Sequence, residues 1–375
     1  MTTEKRSGQG KALSIVRILL AAALVTWVAS RVSFRDRAER RDGAGALLET
    51  REGQVEGSWN APVVPFRDPW GTVEALASAE GWHIRPGIGT LFGNLGVGLY
   101  SAGVALFFLT PLLTVVRWRM LLRASGIDPG FGEACRLTWV GLFFNLVVPG
   151  LTGGDVVKAI LVARSTERRE AAVVSVFVDR VIGILALAVL AGVVVAPQRD
   201  RFAEIARGLT LFLGALLAAS LLLLSRRPRR LLRIDRIVRS LPFSGVIARV
   251  DEAVLAYRDH PRTLAAAFAL SIANHLGILV GVVLIARALG DPLPIRHYLV
   301  LVPVITMLSS APIAPAGWGV GETLYGEFFR RYGSAFGSSF ELGVALSLLY
   351  RLAWMIVSLP GGVFGLKRQR RVEAG

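Results

Sequence analysis

Cysteine and histidine are nearly missing from this chain, which has one Cys, Cys135, and four His in 375 residues. A single thiol cannot close an internal disulfide, and without a CxxC pair or a His cluster the sequence offers no metal site or redox centre. No cofactor is expected. Charge is also thin, at 19% of residues, and lopsided, with 43 Lys and Arg against 27 Asp and Glu for a net +16. Hydrophobic residues make up 53%, and apolar stretches of bilayer-spanning length recur from end to end, which excludes an ordinary soluble globule. The positive charge does not point to nucleic acid. Its Arg and Lys sit in short runs beside apolar segments, where the positive-inside rule places anchors.

The arginines then set a topology. The first apolar stretch, about Ala12 to Val32, follows Lys5, Arg6 and Lys11, which puts residues 1–34 down as a cytoplasmic N-terminus and a first membrane helix. The same stretch has the make-up of a signal peptide, with Val28-Ala29-Ser30 as its cleavage site, and on either reading the next segment lies outside. Residues 35–88 are that external loop: from Arg35 to Arg85, seven Arg face nine Asp and Glu, a balance of −2. Its Gly and Pro punctuation predicts short extended pieces, with no chemistry legible in them. Residues 89–225 form a first membrane repeat. A span from about Leu91 to Val116 ends at Arg117-Trp118-Arg119, and helices of about 16 and 10 residues, each too short to cross, flank a break at 149–155. Spans at about Ala171–Ala196 and Gly208–Leu224 follow.

Residues 226–258 are a basic cytoplasmic linker, with seven Arg between Arg226 and Arg239 against Asp235 alone, expected as an interfacial helix near anionic headgroups. Residues 259–366 form a second repeat, with spans at about Thr263–Leu289 and Leu342–Phe364 around a break at 311–321. Residues 367–375 are a basic cytoplasmic tail. The expected fold is therefore an all-α polytopic protein of the plasma (inner) membrane, with about six full spans plus two re-entrant helical hairpins in an inverted repeat, both termini cytoplasmic.

Each repeat carries a carboxylate at its hairpin and an arginine on the next helix. Asp155 leaves the first break and Asp179-Arg180 follows; Glu322 leaves the second and Tyr350-Arg351 follows, at spacings of 25 and 29 residues. Charge at membrane depth costs a few kcal/mol even on insertion scales, so it marks a partner or a wet cavity. One reading makes Asp155–Arg180 and Glu322–Arg351 ion pairs that clamp each hairpin. The other adds that the arginines meet a lipid phosphate in a midplane cavity, which a guanidinium matches with two parallel bonds. Asn145, one turn before Pro149, suits a cap for freed backbone groups. Lys158 lies at i,i+3 from Asp155 and could pair with it. Thr152, Ser309 and Ser310 fit as satisfiers of the breaks. His275, beside Asn274, fits a buried, hydrogen-bonded histidine better than a proton relay.

These residues also carry a resemblance. Arg117-Trp118-Arg119-Met120-Leu121-Leu122, the run from Gly141-Leu142-Phe143-Phe144-Asn145 through Pro149-Gly150-Leu151-Thr152-Gly153-Gly154-Asp155, Asp179-Arg180-Val181-Ile182-Gly183, and Pro315-Ala316-Gly317-Trp318-Gly319-Val320-Gly321-Glu322 resemble the lysylphosphatidylglycerol synthase transmembrane-domain, or flippase-like, family over roughly residues 91–366. The resemblance implies a module that translocates lipid, in the bifunctional members aminoacylated phosphatidylglycerol, beside a soluble aminoacyl-transfer domain. That soluble domain is not expected here, so synthase activity is not implied. The first functional reading is a flippase-like transporter of an anionic or modified phospholipid or lipid-linked precursor, with membrane lipids as partners. A membrane enzyme acting on lipid-linked substrates is the second, although no catalytic set is legible. The third is a partner of a membrane-associated synthase or glycosyltransferase.

Overall fold

The structure, a computed structural model, describes residues 2–43, 45–147, 153–224, 253–254, 256–309 and 317–373. In chain order the elements are α1 (Thr2–Arg31), β1 (Asp36–Arg41), β2 (Leu47–Val55), β3 (Val63–Arg67), β4 (Val73–Ala77), β5 (Trp82–Arg85), α2 (Ile88–Gly93), α3 (Val97–Ala124), α4 (Phe131–Val147), α5 (Gly153–Ala163), α6 (Arg169–Val195), α7 (Ala203–Leu224), α8 (Pro261–Ala288), α9 (Ile295–Ser309), α10 (Val320–Gly333) and α11 (Phe340–Glu373). Four helical segments among the described residues are long and apolar enough to cross a membrane: Val97–Ala124, Arg169–Gln198, Pro261–Ala288 and Phe340–Phe364. Shorter apolar helices are Ile18–Arg31 and Ile295–Ser309. The helix-break-helix pairs expected from the sequence are present as α4 with α5 and α9 with α10. Residues 148–152 and 310–316, with Thr152 and Ser310, and the Arg226–Arg239 run lie outside the described residues.

The chain divides into two compact units, residues 1–105 with 279–354 and residues 106–278 with 355–375. In the first, the segment expected as short extended pieces forms a five-stranded antiparallel sheet of order β4-β3-β2-β1-β5. Alternation builds it: Val64 and Phe66 of β3 turn inward while Val63, Pro65 and Arg67 face out, and Ala38, Phe66, Leu76 and Trp82 close a small core. The hairpin of β3 and β4 turns on Asp68, whose Oδ1 accepts from the N–H of Trp70 at 3.0 Å and of Thr72 at 2.8 Å. Buried Asp36 ties the sheet to α2, accepting from Gly87 N at 2.6 Å, Val55 N at 2.7 Å and Thr90 Oγ1 at 2.8 Å. Trp59 fixes the far side through Nε1 to the Leu289 carbonyl at 3.2 Å. An insert with its own core and three such ties is a built element of this unit.

Helix α1 is part of the same unit. Ala21 packs with Val320, flanked by Leu24 and Leu324, and Trp27 meets Phe340 edge-on at 6.0 Å. Gly319 permits the approach. Its φ of +79° is left-handed, and a Cβ there would stand 2.5 Å from Leu24 Cβ and 3.1 Å from Val25 N. Gly319→Ala is therefore expected to destabilise by about 1–3 kcal/mol, adding backbone strain to overpacking. Thermal unfolding in detergent checks this, and a melting temperature equal to wild type would refute the seating of α1.

In the second unit, α3 to α6 enclose a core of Val115, Trp118, Leu122, Ala134, Leu137, Val162, Ala172 and Val176. Helices α4 and α5 cross closely because both are glycine at the contact, Gly141 against Gly154. Gly361 of α11 lies against the carbonyl of Trp139 in the same way, and Trp139 Nε1 donates to the Val357 carbonyl at 3.1 Å.

Candidate functional site

The second unit gathers five charged side chains from three helices. Arg117 of α3 forks onto Asp179 of α6, with Nε to Oδ1 at 2.7 Å and NH2 to Oδ2 at 2.9 Å. Both are buried, at 8% and 11% side-chain exposure. The third donor of the fork, NH1, reaches Ser271 Oγ of α8 at 2.6 Å, and that hydroxyl donates to the Ala267 carbonyl at 2.9 Å. Each nitrogen of this guanidinium thus has a partner, as a buried ion needs.

The next residue of α6, Arg180, points elsewhere, its Nε and NH2 both on Asp155 Oδ2 of α5, Nε at 2.7 Å. This pair is open: the Arg180 side chain is 47% exposed and that of Asp155 25%. Among the described residues no partner meets Arg180 NH1. Asp155 is held in place by its helix start, where Asn145 Oδ1 accepts from Gly154 N at 2.9 Å, the backbone-capping position expected for that asparagine.

Lys158 departs from its expected role. The i,i+3 spacing suggests a pair with Asp155, but the side chain is buried and its Nζ sits 3.7 Å from the centroid of the Trp118 ring. The indole Nε1 in turn donates to Ser175 Oγ at 3.2 Å. Tertiary packing wins because the lysine stem lies along the side-chain-free surface of Gly141 and leads inward. Asp179 and Asp155 are the carboxylates whose field reaches the buried ammonium.

In the first unit Glu322 and Arg351 meet. Arg351 Nε donates to Glu322 Oε1 at 3.0 Å and NH2 to Oε2 at 3.3 Å, with side-chain exposures of 14% and 5%. NH2 also reaches the Gly317 carbonyl at 3.2 Å, and the guanidinium lies 4.2 Å from the centroid of the Trp318 ring. Glu322 does double duty, accepting from Gly319 N at 2.9 Å at the start of α10. Tyr350 lies between Tyr325, tilted at 6.3 Å, and Trp354, edge-on at 6.4 Å, within an aromatic row. His275 is hydrogen-bonded as the sequence suggests, Nε2 lying 2.9 Å from the Gly183 carbonyl.

The sequence pairs the matched acids and arginines, and the structure brings both pairs together. It also adds residues that the sequence reading passed over. Arg117 reads as an interfacial anchor in the run Arg117-Trp118-Arg119, whereas only Arg119 and Arg123 stay at the surface turn, on the Pro129 carbonyl and on Asp128. Ser271 and Trp118 give no signal of their own. The adjacency of Asp179 and Arg180 does hint at it: successive helix positions point about 100° apart, so Asp179 needed a second cation.

Among the comparisons with known proteins, no curated protein and no solved structure matches the chain. The family model described as lysylphosphatidylglycerol synthase TM region matches residues 86–362, which includes the Arg117–Asp179, Asp155–Arg180 and Glu322–Arg351 pairs and Lys158. With that match over most of its length, and with its spanning-length helices, this membrane protein belongs to the lysylphosphatidylglycerol synthase TM region family.

Proposed function

We propose that the protein is a flippase-like transporter that moves an anionic phospholipid, or a lipid-linked phosphate, across the membrane, with Arg180 as the residue that meets the phosphate. The proposed frame has six spans, α1 and α7 adding to the four long helices, the two helix pairs as re-entrant hairpins of an inverted repeat, and both termini on the cytoplasmic side of the inner membrane. The observation that carries the reading is a charge count. Arg117, Lys158 and Arg180 supply three positive charges against two from Asp155 and Asp179. Arg117 is paired with Asp179 and Arg180 with Asp155, which leaves the excess charge on buried Lys158, and of the three cations only Arg180 is half exposed. A surplus cation at membrane depth favours an anion, and the open NH1 of Arg180 gives a phosphate oxygen a directed bond. Arg351 is different: nearly buried and forked onto Glu322, it clamps α10 to α11.

Reconstituted liposomes with a labelled anionic phospholipid test this. Arg180→Lys keeps the charge and loses the fork, so the transport rate is expected to fall about tenfold or more, in line with about 1.5–3 kcal/mol for a charge-assisted bond. Asp155→Asn with Arg180→Gln removes the pair as a unit, and thermal stability should return close to wild type while transport stays lost. A double variant that regains both, or an Arg180→Lys rate equal to wild type, would leave the pair a clamp only.

A further inference from the structure

Outside this network the first unit contains a cationic cleft of about 210 Å³ where α1 ends, the sheet begins and α10 hands over to α11. Five arginines line it, Arg31 at the end of α1, Arg35 and Arg37 entering β1, Arg85 at the end of β5 and Arg330 in the last turn of α10, against Glu39 and Glu341. Three of the arginines are committed: Arg85 to Glu39 at 2.7 Å, Arg37 to Glu52 at 3.1 Å and Arg330 to Glu327 at 2.5 Å. The other two are not. Arg35 stands 4.0 Å from Glu52 with 73% of its side chain exposed. Arg31 has no ion pair among the described residues and only overlies its helix neighbour Trp27 at 5.0 Å.

The two carboxylates of the cleft do not balance them. Burial would raise Glu39, but the hydrogen bond from Arg41 and the nearby Arg85 outweigh it and hold the acid below the ordinary carboxylate range, its charge spent on those two. Glu341 Oε1 accepts from the Ser33 N–H at 3.4 Å. Phe340, which also lines the cleft, is the first residue of a spanning-length segment, so the cleft lies at the depth of lipid headgroups. On the expected topology this is the outer face, where arginines are not needed as anchors.

We propose that this cleft is a phosphate-binding site, with Arg31 and Arg35 as its ligands. It is large enough for a phosphoryl group, and two guanidiniums without a close ion pair line it against one carboxylate, Glu341, that no cation among the described residues holds, which leaves a net positive charge for an anion. The phosphate can be that of an anionic lipid headgroup or a free phosphate ion. None of the residues belongs to the Arg117–Asp179 or Asp155–Arg180 pairs, so the site does not rest on the transport reading.

The test is thermal unfolding in neutral detergent, in the Arg180→Gln background so that the proposed transport site is silent. The probes are short-chain phosphatidylglycerol, short-chain phosphatidylcholine and inorganic phosphate. Short-chain phosphatidylglycerol is expected to raise the melting temperature saturably by a few degrees, more than the zwitterionic lipid, and less as NaCl is added. Arg31→Gln with Arg35→Gln should abolish the rise, and Arg35→Gln alone, at an exposed position where folding is not at stake, should weaken it several-fold. A rise from inorganic phosphate at the same midpoint keeps the site and assigns it to the free ion. No saturable rise with any probe, or a double variant that responds as the background does, would overturn the proposal.

Discussion

Asp179→Asn is expected to be the most destabilising single charge change in the protein. It leaves Arg117 and Lys158 as two buried cations with Asp155 the remaining carboxylate whose field reaches the lysine. Breaking a buried, hydrogen-bonded pair by removing one partner costs about 3–5 kcal/mol. Arg117→Gln should cost less, because Asp179 then keeps Lys158 as a neighbouring counter-charge. The order follows from three positive and two negative charges in one network, and a simple two-residue pair would give equal losses. Asp179→Asn with Arg117→Gln should recover much of the single-variant loss, since a missing buried pair costs far less than a broken one. Thermal unfolding of the four proteins in one detergent settles it. Equal single-variant losses would show that Lys158 is electrostatically idle, and a double variant no better than Asp179→Asn would refute the pair.

Gly154→Ala is expected to have the second large effect. A Cβ at that position would stand 1.8 Å from the Gly141 carbonyl oxygen and 2.8 Å from Asn145 Cγ. The first obstacle is backbone, which cannot rotate away, so α4 and α5 must part and the Asn145–Gly154 bond with them. Overpacking of this kind costs about 1–3 kcal/mol, and the lost capping bond about 1 more. Gly141→Ala is the natural comparison. Its Cβ would be 3.3 Å from the Gly154 carbonyl oxygen and 3.6 Å from Lys158 Cβ, a fit that a few tenths of an ångström can relieve. Gly154→Ala should therefore melt well below Gly141→Ala. Because α5 carries Asp155 and Lys158, the same variant should lower the proposed transport beyond its effect on stability. Similar melting temperatures for the two would mean that the helices do not meet at Gly154.

The sequence determined the elements, and it did so for local reasons. Predominantly apolar segments of 25 to 30 residues mark α3, α6, α8 and the spanning part of α11, because each such helix answers its own backbone and needs no distant partner to be legible. The glycine and proline breaks fix that α4 and α5, and α9 and α10, are separate helices, and the matched spacing of Asp155 with Arg180 and Glu322 with Arg351 marks the pairs in advance. The sheet was legible only as extended pieces. Its strands are short, at 4 to 9 residues, and the order that sets β1 between β2 and β5 is a matter of long-range pairing. What tertiary structure alone decided is which charges are spent. Arg117 and Asp179 are 62 residues apart, Arg117 and Ser271 are 154 apart, and no periodicity records such a meeting. Burial then separated two arginines that look equivalent in the chain: Arg351 is enclosed by Glu322, Gly317 and Trp318, and Arg180 is left half open. Solvation decides the function of a charged side chain, and it is a property of the packed neighbours rather than of the residue.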